Sequence, residues 1–423
     1  MSLLEEKIFK KQLDNGLTVT LIQKKGFKSA TCAFTTSFGG IYNKILVNGQ
    51  KYELPLGVAH FLEHKLFSME DGNDVTNKFS NIGLEVNAYT DYYNTTYYFI
   101  GPGDGYKGIE LLLDFVQSPH FTDENVESEK GIIEQELLMY QDIPDEAASL
   151  GLMNNIFHTF PYINDVGGTV EEVNKITKEV LYFCYYLFYH PKNMNFVIVG
   201  DFEEDELFKF IEDNQSKKVF PEYLNPKIIF DEELDTLAKE YDCREMDVVN
   251  SKVLIGMKFP MRKECANKNE ILLDDLYYRI IRNELFGGYT QFHQKLLDDK
   301  VICGPLRTSY NSDIYSQYLA IGAEVNDADE FIKRIKKRIK ALKTFKFTQN
   351  KIDRVKKDAI GKFILSFNNI EAIMGDYLDS LVRDYDYINF IDIINLLNID
   401  ELREKSKVLL DLPITVYLIN PKK

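Results

Sequence analysis

The chain is poor in the features that would tie it to several protein classes. Its five cysteines, Cys32, Cys184, Cys243, Cys265 and Cys303, are scattered, with no close pair. That spacing builds no disulfide framework and fits a reducing compartment. Positive charge is also short: 50 lysines and arginines against 66 aspartates and glutamates leave a formal charge of −16. Nucleic acid, which is bound by an excess of Lys and Arg, is not expected as the main partner, and neither is an anionic lipid surface. Long hydrophobic runs are missing. The most apolar stretch, VLYFCYYLFY at Val180–Tyr189, falls far below the ~20 residues of a membrane span. The opening MSLLEEKIFKKQLDNG lacks the apolar segment of a signal peptide. A cytoplasmic protein without a membrane partner is the expectation.

What is present is the balance of a globular protein, with 45% hydrophobic and 27% charged residues. A length of 423 residues exceeds one ordinary core, so two domains are expected. GLTVTLIQ (Gly16–Gln23) and SATCAFTTSFGG (Ser29–Gly40) read as strands, rich in β-branched and aromatic residues and bounded by turn signals. A helix is expected from about Gly57, then two strands within Leu84–Ile100 joined around Asp91–Asn94. GPGDGYKG has the glycines of a phosphate loop but not its Gly-Lys-Ser/Thr ending, and reads as a strand-to-helix turn. Thr122 is a good N-cap for an amphipathic helix reaching Asp142. An aromatic helix and the buried strand MNFVIVGDF (Met194–Phe202) close the first half.

The second half repeats the first. FTQNKIDRVKKDAIGKF echoes FTDENVESEKGIIEQEL at an offset of 226 residues, from Phe121 to Phe347. LPITVYLIN ends the chain as MNFVIVGDF ends the first half, and NELF of YYRIIRNELFGG stands where HKLF stood. The expected fold is α+β: two homologous domains from an internal duplication, each a mostly antiparallel sheet with helices packed on one face. Their expected bounds are 1–215 and 229–423, with 216–228, polar, basic and proline-bearing, as linker.

Histidine is scarce, yet two of the six lie one helical turn apart in GVAHFLEHKLF, Gly57–Phe67. On a helix His60 and His64 share a face and can aim two imidazoles at one point, as a tetrahedral metal requires of two ligands. Glu63 can flank that point without being a ligand, take a proton from a metal-bound water and pass it to a leaving amine. The surrounding Val58, Phe61, Leu62, Leu66 and Phe67 make this helix apolar nearly all round. A carboxylate buried between two imidazoles is costly unless they coordinate something. His-x-x-Glu-His is also the inverted form of a metallopeptidase signature. A catalytic zinc needs a third protein ligand. The other histidines sit alone, so carboxylates of the Thr122–Asp142 helix are the better source. On a helical wheel Val126, Ile133, Leu137 and Tyr140 form its apolar stripe, and Glu129 and Glu136, seven apart, both lie at the stripe's edge beside Ile132. At the matching places of the second half stand Arg279, Arg282, Asn283 and Lys362, which suit no metal.

With these residues in hand, the chain resembles the pitrilysin, insulysin and mitochondrial processing peptidase family of zinc peptidases, and within it the small bacterial members made as paired subunits. The resemblance runs through GVAHFLEHKLF, NAYTDYYNTTYY, EKGIIEQELLMYQD, FHTFPYINDVGGTVEEVNKIT and YHPKNMNFVIVGDF, in the family's order. It implies one zinc ion per chain held by His60, His64 and Glu136, Glu63 as general base, and Glu129 as the carboxylate that orients a ligand histidine. It implies that the strand of Asn87, Ala88 and Tyr89 offers its edge to an extended peptide substrate. One departure stands out. Family members that act alone or as homodimers carry an Arg just after the Gly-Gly of the second domain and a Tyr about fourteen residues later. This chain has Tyr289-Thr290-Gln291 at the first place and no tyrosine at the second, with Arg307 and Tyr310 nearby at the wrong spacing. The expected function is therefore a zinc metalloendopeptidase subunit acting on short or unfolded peptides with a similar partner chain, as heterodimer or homodimer. The competing expectation is a non-catalytic scaffold or binding subunit of a larger assembly.

Overall fold

A computed structural model describes residues 7–68, 75–262 and 269–422; Cys265 lies outside them. In chain order the elements are β1 (Lys7–Gln12), β2 (Thr18–Gln23), β3 (Ala30–Thr36), β4 (Lys44–Val47), β5 (Gln50–Glu53), α1 (Val58–Leu66), α2 (Val75–Ser80), β6 (Glu85–Thr90) and β7 (Thr95–Gly101). There follow α3 (Gly105–Val116), α4 (Asp123–Gln141), α5 (Pro144–Ile156), α6 (Val170–Val173), α7 (Lys178–Phe188), β8 (Met194–Gly200), α8 (Glu204–Gln215) and β9 (Lys227–Ile228). The rest comprises β10 (Tyr241–Met246), β11 (Ser251–Lys258), α9 (Glu270–Phe286), α10 (Gln291–Asp298), β12 (Arg307–Ser312), β13 (Gln317–Val325), α11 (Ala328–Lys340), α12 (Gln349–Ser366), α13 (Ile370–Val382), α14 (Phe390–Asn395), α15 (Ile399–Val408) and β14 (Ile414–Pro421). Among the described residues no helix is long and apolar enough to cross a membrane.

Two compact units form, and neither is continuous in sequence. One takes the chain up to Met139, Asn164–Phe230 and Ser366–Leu378; the other takes Tyr140–Ile163, Asp231–Leu365 and the chain from Asp379. The first unit holds a six-stranded sheet in the order β1-β2-β8-β3-β7-β6, in which only β2 and β8 run parallel. The central β3 is buried along its whole length, as expected of a strand covered on both faces, and its ATCAFTT reads as a nearly unbroken β-favouring run. On one face Val19, Leu21, Cys32 and Phe34 meet Phe61 and Leu62 of α1, Leu112 of α3 and Leu181 of α7. The other face is covered by the start of α13, where the Tyr377 hydroxyl and Thr20 Oγ1 share a hydrogen bond of 3.1 Å.

The second unit repeats the arrangement with one strand fewer: β10-β14-β11-β13-β12, with β10 and β14 the parallel pair. Val253, Ile255, Leu319 and Ile321 pack against Leu276 and Ile280 of α9 and Phe331 of α11. The opposite face receives α5. At Gly151 the helix comes so close that a Cβ would lie 2.1 Å from Cζ of Tyr417, so no side chain fits there. The duplicated α+β architecture is thus present in full, and α5 and α13 are equivalent pieces of it. Each has 13 residues, and their first residues, Pro144 and Ile370, are 226 apart, the spacing of the sequence repeat.

Between the repeats, residues 216–226 carry no regular secondary structure but are anchored to the first unit. Lys218 Nζ donates to the Leu113 carbonyl at 3.0 Å, and β9 pairs with β4. Glu233 then organises the entry to the second unit. Its carboxylate accepts from the amides of His158, Thr159 and Phe160 and from Lys258 Nζ at 2.5 Å.

Candidate metal centre

Gly57 caps α1 with φ 84°, a left-handed conformation that only glycine adopts cheaply. A Cβ there would also lie 2.1 Å from the carbonyl oxygen of Gly167. The helix then buries Val58, Ala59, Phe61, Leu62, Lys65 and Leu66. His60, Glu63, His64 and Phe67 are left, at the i, i+3, i+4, i+7 spacing of a single helical face. Opposite them lies α4, whose Thr122 cap accepts from the Asn125 amide at 3.1 Å and whose Val126, Ile133 and Leu137 are buried. The apolar stripe expected on α4 needs one correction. Tyr140 is 38% exposed, since it lies beyond Met139, the last residue of this helix in the first unit.

Both imidazoles turn the same nitrogen toward one carboxylate oxygen. His64 Nε2 lies 3.4 Å from Glu136 Oε2, and His60 Nε2 lies 3.9 Å from it. The donor atoms of His60, His64 and Glu136 all fall within 4.8 Å of one another. Behind them, His64 Nδ1 and Glu129 Oε1 are hydrogen bonded at 3.1 Å, and the other Glu129 oxygen accepts from Lys65 Nζ at 3.2 Å. Lys65 is 2% exposed. Glu63 lies beside this group, its Oε2 accepting from the Thr90 hydroxyl at 2.6 Å. The structure therefore assembles His60, Glu63, His64, Glu129 and Glu136 in one place. Asn87, Ala88 and Tyr89 lie on β6, the edge strand of the sheet. There the Ala88 amide donates to the Asn87 side-chain oxygen, and Tyr89 is exposed.

The charges are tuned by burial and by neighbours. Burial and then the adjacent His64 pull His60 down to about 4, so its ring is neutral at pH 7, as a metal ligand must be. Burial also works to lower His64, but the hydrogen bond to Glu129 and the charges of Glu129, Glu136 and Glu63 outweigh it, and the net shift is upward. Burial raises Glu63 above the ordinary carboxylate value, opposed by the Thr90 hydrogen bond. For Glu129 burial works upward, yet the bonds to His64 and Lys65 prevail and hold it low. Two imidazole nitrogens and one carboxylate are a donor set that suits zinc. The convergence of the two Nε2 atoms on Glu136, with His64 Nδ1 already engaged behind, fits that group.

Three contributors escaped the sequence reading. Thr90, on the strand that carries Ala88, had a signal in its alternation with partly buried Val86 and Ala88. Lys65 had one too, as a lysine at a core position of an apolar helix. Gly167, packed against Gly57, had none. On the second unit, Tyr310 is buried and its hydroxyl donates to Gln317 Oε1 at 2.7 Å, whereas Arg307 is exposed.

Comparison with known proteins agrees with this arrangement. Residues 48–170 match the insulinase model of peptidase family M16, and residues 175–358 match the peptidase M16 inactive domain. The chain is 31% identical over 405 residues to a Bacillus subtilis protein named as an uncharacterized zinc protease, YmfH, covering 95% of this chain and 93% of that one. The crystal structure of an M16-like peptidase from Alicyclobacillus acidocaldarius superposes with a TM-score of 0.92 at 32% identity, over the whole of both chains. A Helicobacter pylori protease shares the fold, with a TM-score of 0.82 at 19% identity over 98% of this chain and 100% of that one. An α+β fold built twice, with an inverted His-x-x-Glu-His helix in one copy only, is that of the insulinase-like peptidases. The chain belongs to peptidase family M16, its first half matching the insulinase-type domain and most of its second half the inactive-type domain.

Proposed function

We propose that the chain is the zinc-bearing subunit of a cytoplasmic metalloendopeptidase that hydrolyses short or unfolded peptides together with a similar partner chain. The observation that carries this reading is the convergence of His60 Nε2, His64 Nε2 and Glu136 Oε2 beside the Glu63 carboxylate. These three residues would hold one zinc ion, which when bound supplies Lewis acidity to an oxygen of water or of a peptide carbonyl. The remaining work belongs to the chain's own groups. Glu129 accepts from His64 Nδ1–H, which fixes the tautomer that leaves Nε2 free to ligate. Thr90 holds Glu63 Oε2, leaving Oε1 to take a proton from water and deliver it to the leaving amine. The edge of β6 at Asn87–Tyr89 would add the peptide as a further strand, a mode that reads extended backbone more than sequence.

A partner is supported by the missing Arg and Tyr after Gly288 and by the burial of Tyr310, which leaves that hydroxyl committed to Gln317. We read 1–215 and 229–423, joined by 216–228, as the units of the original duplication. Cleavage of a quenched, unstructured peptide library by the zinc-loaded chain, alone and with its partner, tests the proposal. Activity that a chelator stops and zinc restores is expected with the partner present. A chain that binds no metal and cleaves nothing in either setting is a scaffold subunit instead.

A further inference from the structure

In the second unit α5 lies over β14, β11 and β10. Toward β13 and β12 the same face of the sheet opens into a pocket of about 440 Å³, within the size range of ligand sites. Strand register explains its shape. Leu254 and Arg307 both pair with Gly322, and Ser309 pairs with Ala320, so these side chains rise on one face while Leu319 and Ile321 enter the core on the other. Gly322 and Ala320 make a low floor, and Leu152 of α5, Leu254 and Tyr318 make the walls. Gly304 widens the mouth, since a Cβ there would meet nothing within 4 Å.

Two cations line this pocket, and their situations differ. Lys252 is held by Asp145 at 2.6 Å and Glu324 at 3.1 Å. The Arg307 guanidinium is exposed and, among the described residues, makes no side-chain hydrogen bond or ion pair. Arg307 also belongs to β12, the edge strand of its sheet, where one row of backbone donors and acceptors has no strand beside it, although the Thr308 carbonyl already accepts from Arg282 at 2.6 Å. A guanidinium fork pairs with a carboxylate, an apolar hollow takes a large apolar side chain, and a free strand edge takes extended backbone. One chemical group meets all three demands. We infer that this pocket binds the C-terminal residue of a peptide, with its apolar side chain in the hollow and its free carboxylate on Arg307. An internal Asp or Glu would bring charge without apolar bulk, and a fatty acid would leave the strand edge unused. The inference rests on the reading of the chain as one that acts on peptides, and it assigns the second unit a role in holding them.

The test is binding, read separately from cleavage. A fluorescein-labelled octapeptide ending in Phe, as free acid and as C-terminal amide, is titrated into the full chain carrying Glu63→Gln, and anisotropy is followed. The acid is expected to bind at least about tenfold tighter than the amide, as a charged hydrogen-bonded pair is lost. Arg307→Ala should abolish the difference between acid and amide, and Gly304→Phe, which fills the mouth, should weaken both. Equal affinity for acid and amide in the unsubstituted pocket overturns the inference and needs no variant to fold. Displacement of the peptide by decanoate with no loss on amidation would assign the pocket to fatty acids and overturn it as well. Loss of cleavage with this binding intact would count against the proposed peptidase activity alone, whereas intact cleavage without it would remove only the pocket's role.

Discussion

The two copies of the repeat join corresponding elements through side chains of opposite charge on the first helix. In the first, Lys65 of α1 reaches Glu129 of α4, and Glu63 of α1 takes a hydrogen bond from Thr90 at the end of edge strand β6. In the second, Glu284 of α9 reaches Lys351 of α12, and Arg282 of α9 donates to the Thr308 carbonyl of edge strand β12 at 2.6 Å. A helix–helix ion pair and a helix–strand hydrogen bond link the corresponding elements in both copies, with the charge on the first helix reversed, but at different positions: at the 226-residue offset Lys351 matches Asn125 and not Glu129. The residues at the remaining places differ in kind. Arg279 and Lys362 are satisfied by Asp275 and Asp358 on their own helices, while His60, His64 and Glu136 turn toward each other. The second copy folds without such a cluster, so the architecture does not require it.

Substitutions can break this contrast, beginning with the largest effect. Glu63→Gln should leave zinc bound and the fold intact while lowering turnover by about 10³-fold, the range of a lost general acid–base group. His60→Ala should lose metal and activity together, as read by metal analysis and peptide cleavage. Normal turnover by Glu63→Gln would end the proposed mechanism.

The buried ion pair of the second unit should matter for stability instead. Glu233→Ala strands Lys258, which is fully buried, and is expected to destabilise the protein by about 3–5 kcal/mol in urea titration. The same pair predicts a pH dependence. Burial works to raise Glu233, but Lys258 and the backbone amides of His158, Thr159 and Phe160 prevail and hold it below its ordinary 4.5. Its contribution is therefore present above about 4.5, where the unfolded chain is also ionised, and is lost as pH falls through the lower folded value. Wild type should lose urea resistance over that acid range, and Glu233→Gln should lose less.

Glu129→Gln should sharpen the comparison from the other side. Replacing the partner that orients His64 is expected to weaken zinc binding by about 10–100-fold in competition with a chelator, and to lower thermal stability as well, because the buried Lys65 ammonium loses its carboxylate. The smallest effect is expected at Thr90→Val, where Glu63 loses one hydrogen bond. A drop of about tenfold or less in turnover, with zinc affinity unchanged, would assign Thr90 to positioning the base; a matching loss of zinc would assign it to the ligand scaffold.

Much of this was legible along the chain, because local geometry carries it. The i, i+4 spacing alone aligns His60 with His64, the Thr122 cap starts α4 where its side chain indicates, and the repeat at 226 residues reappears in the matching bounds of α5 and α13. The choice between Glu129 and Glu136 was not legible from periodicity. Seven residues apart on one helical line, they look alike to a wheel, yet they stand about 10 Å apart along the axis. Only the height at which α4 packs against α1 puts Glu136 at the two Nε2 atoms and Glu129 behind His64. The same holds for Thr90, which meets Glu63 through strand pairing, and for Gly167, which meets Gly57 across 110 residues of chain. It holds also for α5 and α13, each built into the sheet of the opposite repeat, since chain order cannot say which sheet will bury an apolar helix face. Residue order along the chain shows which side chains could do chemistry and that the fold is built twice. Tertiary packing decided which of them meet, because a metal site is defined by distances of a few ångströms between segments far apart along the chain.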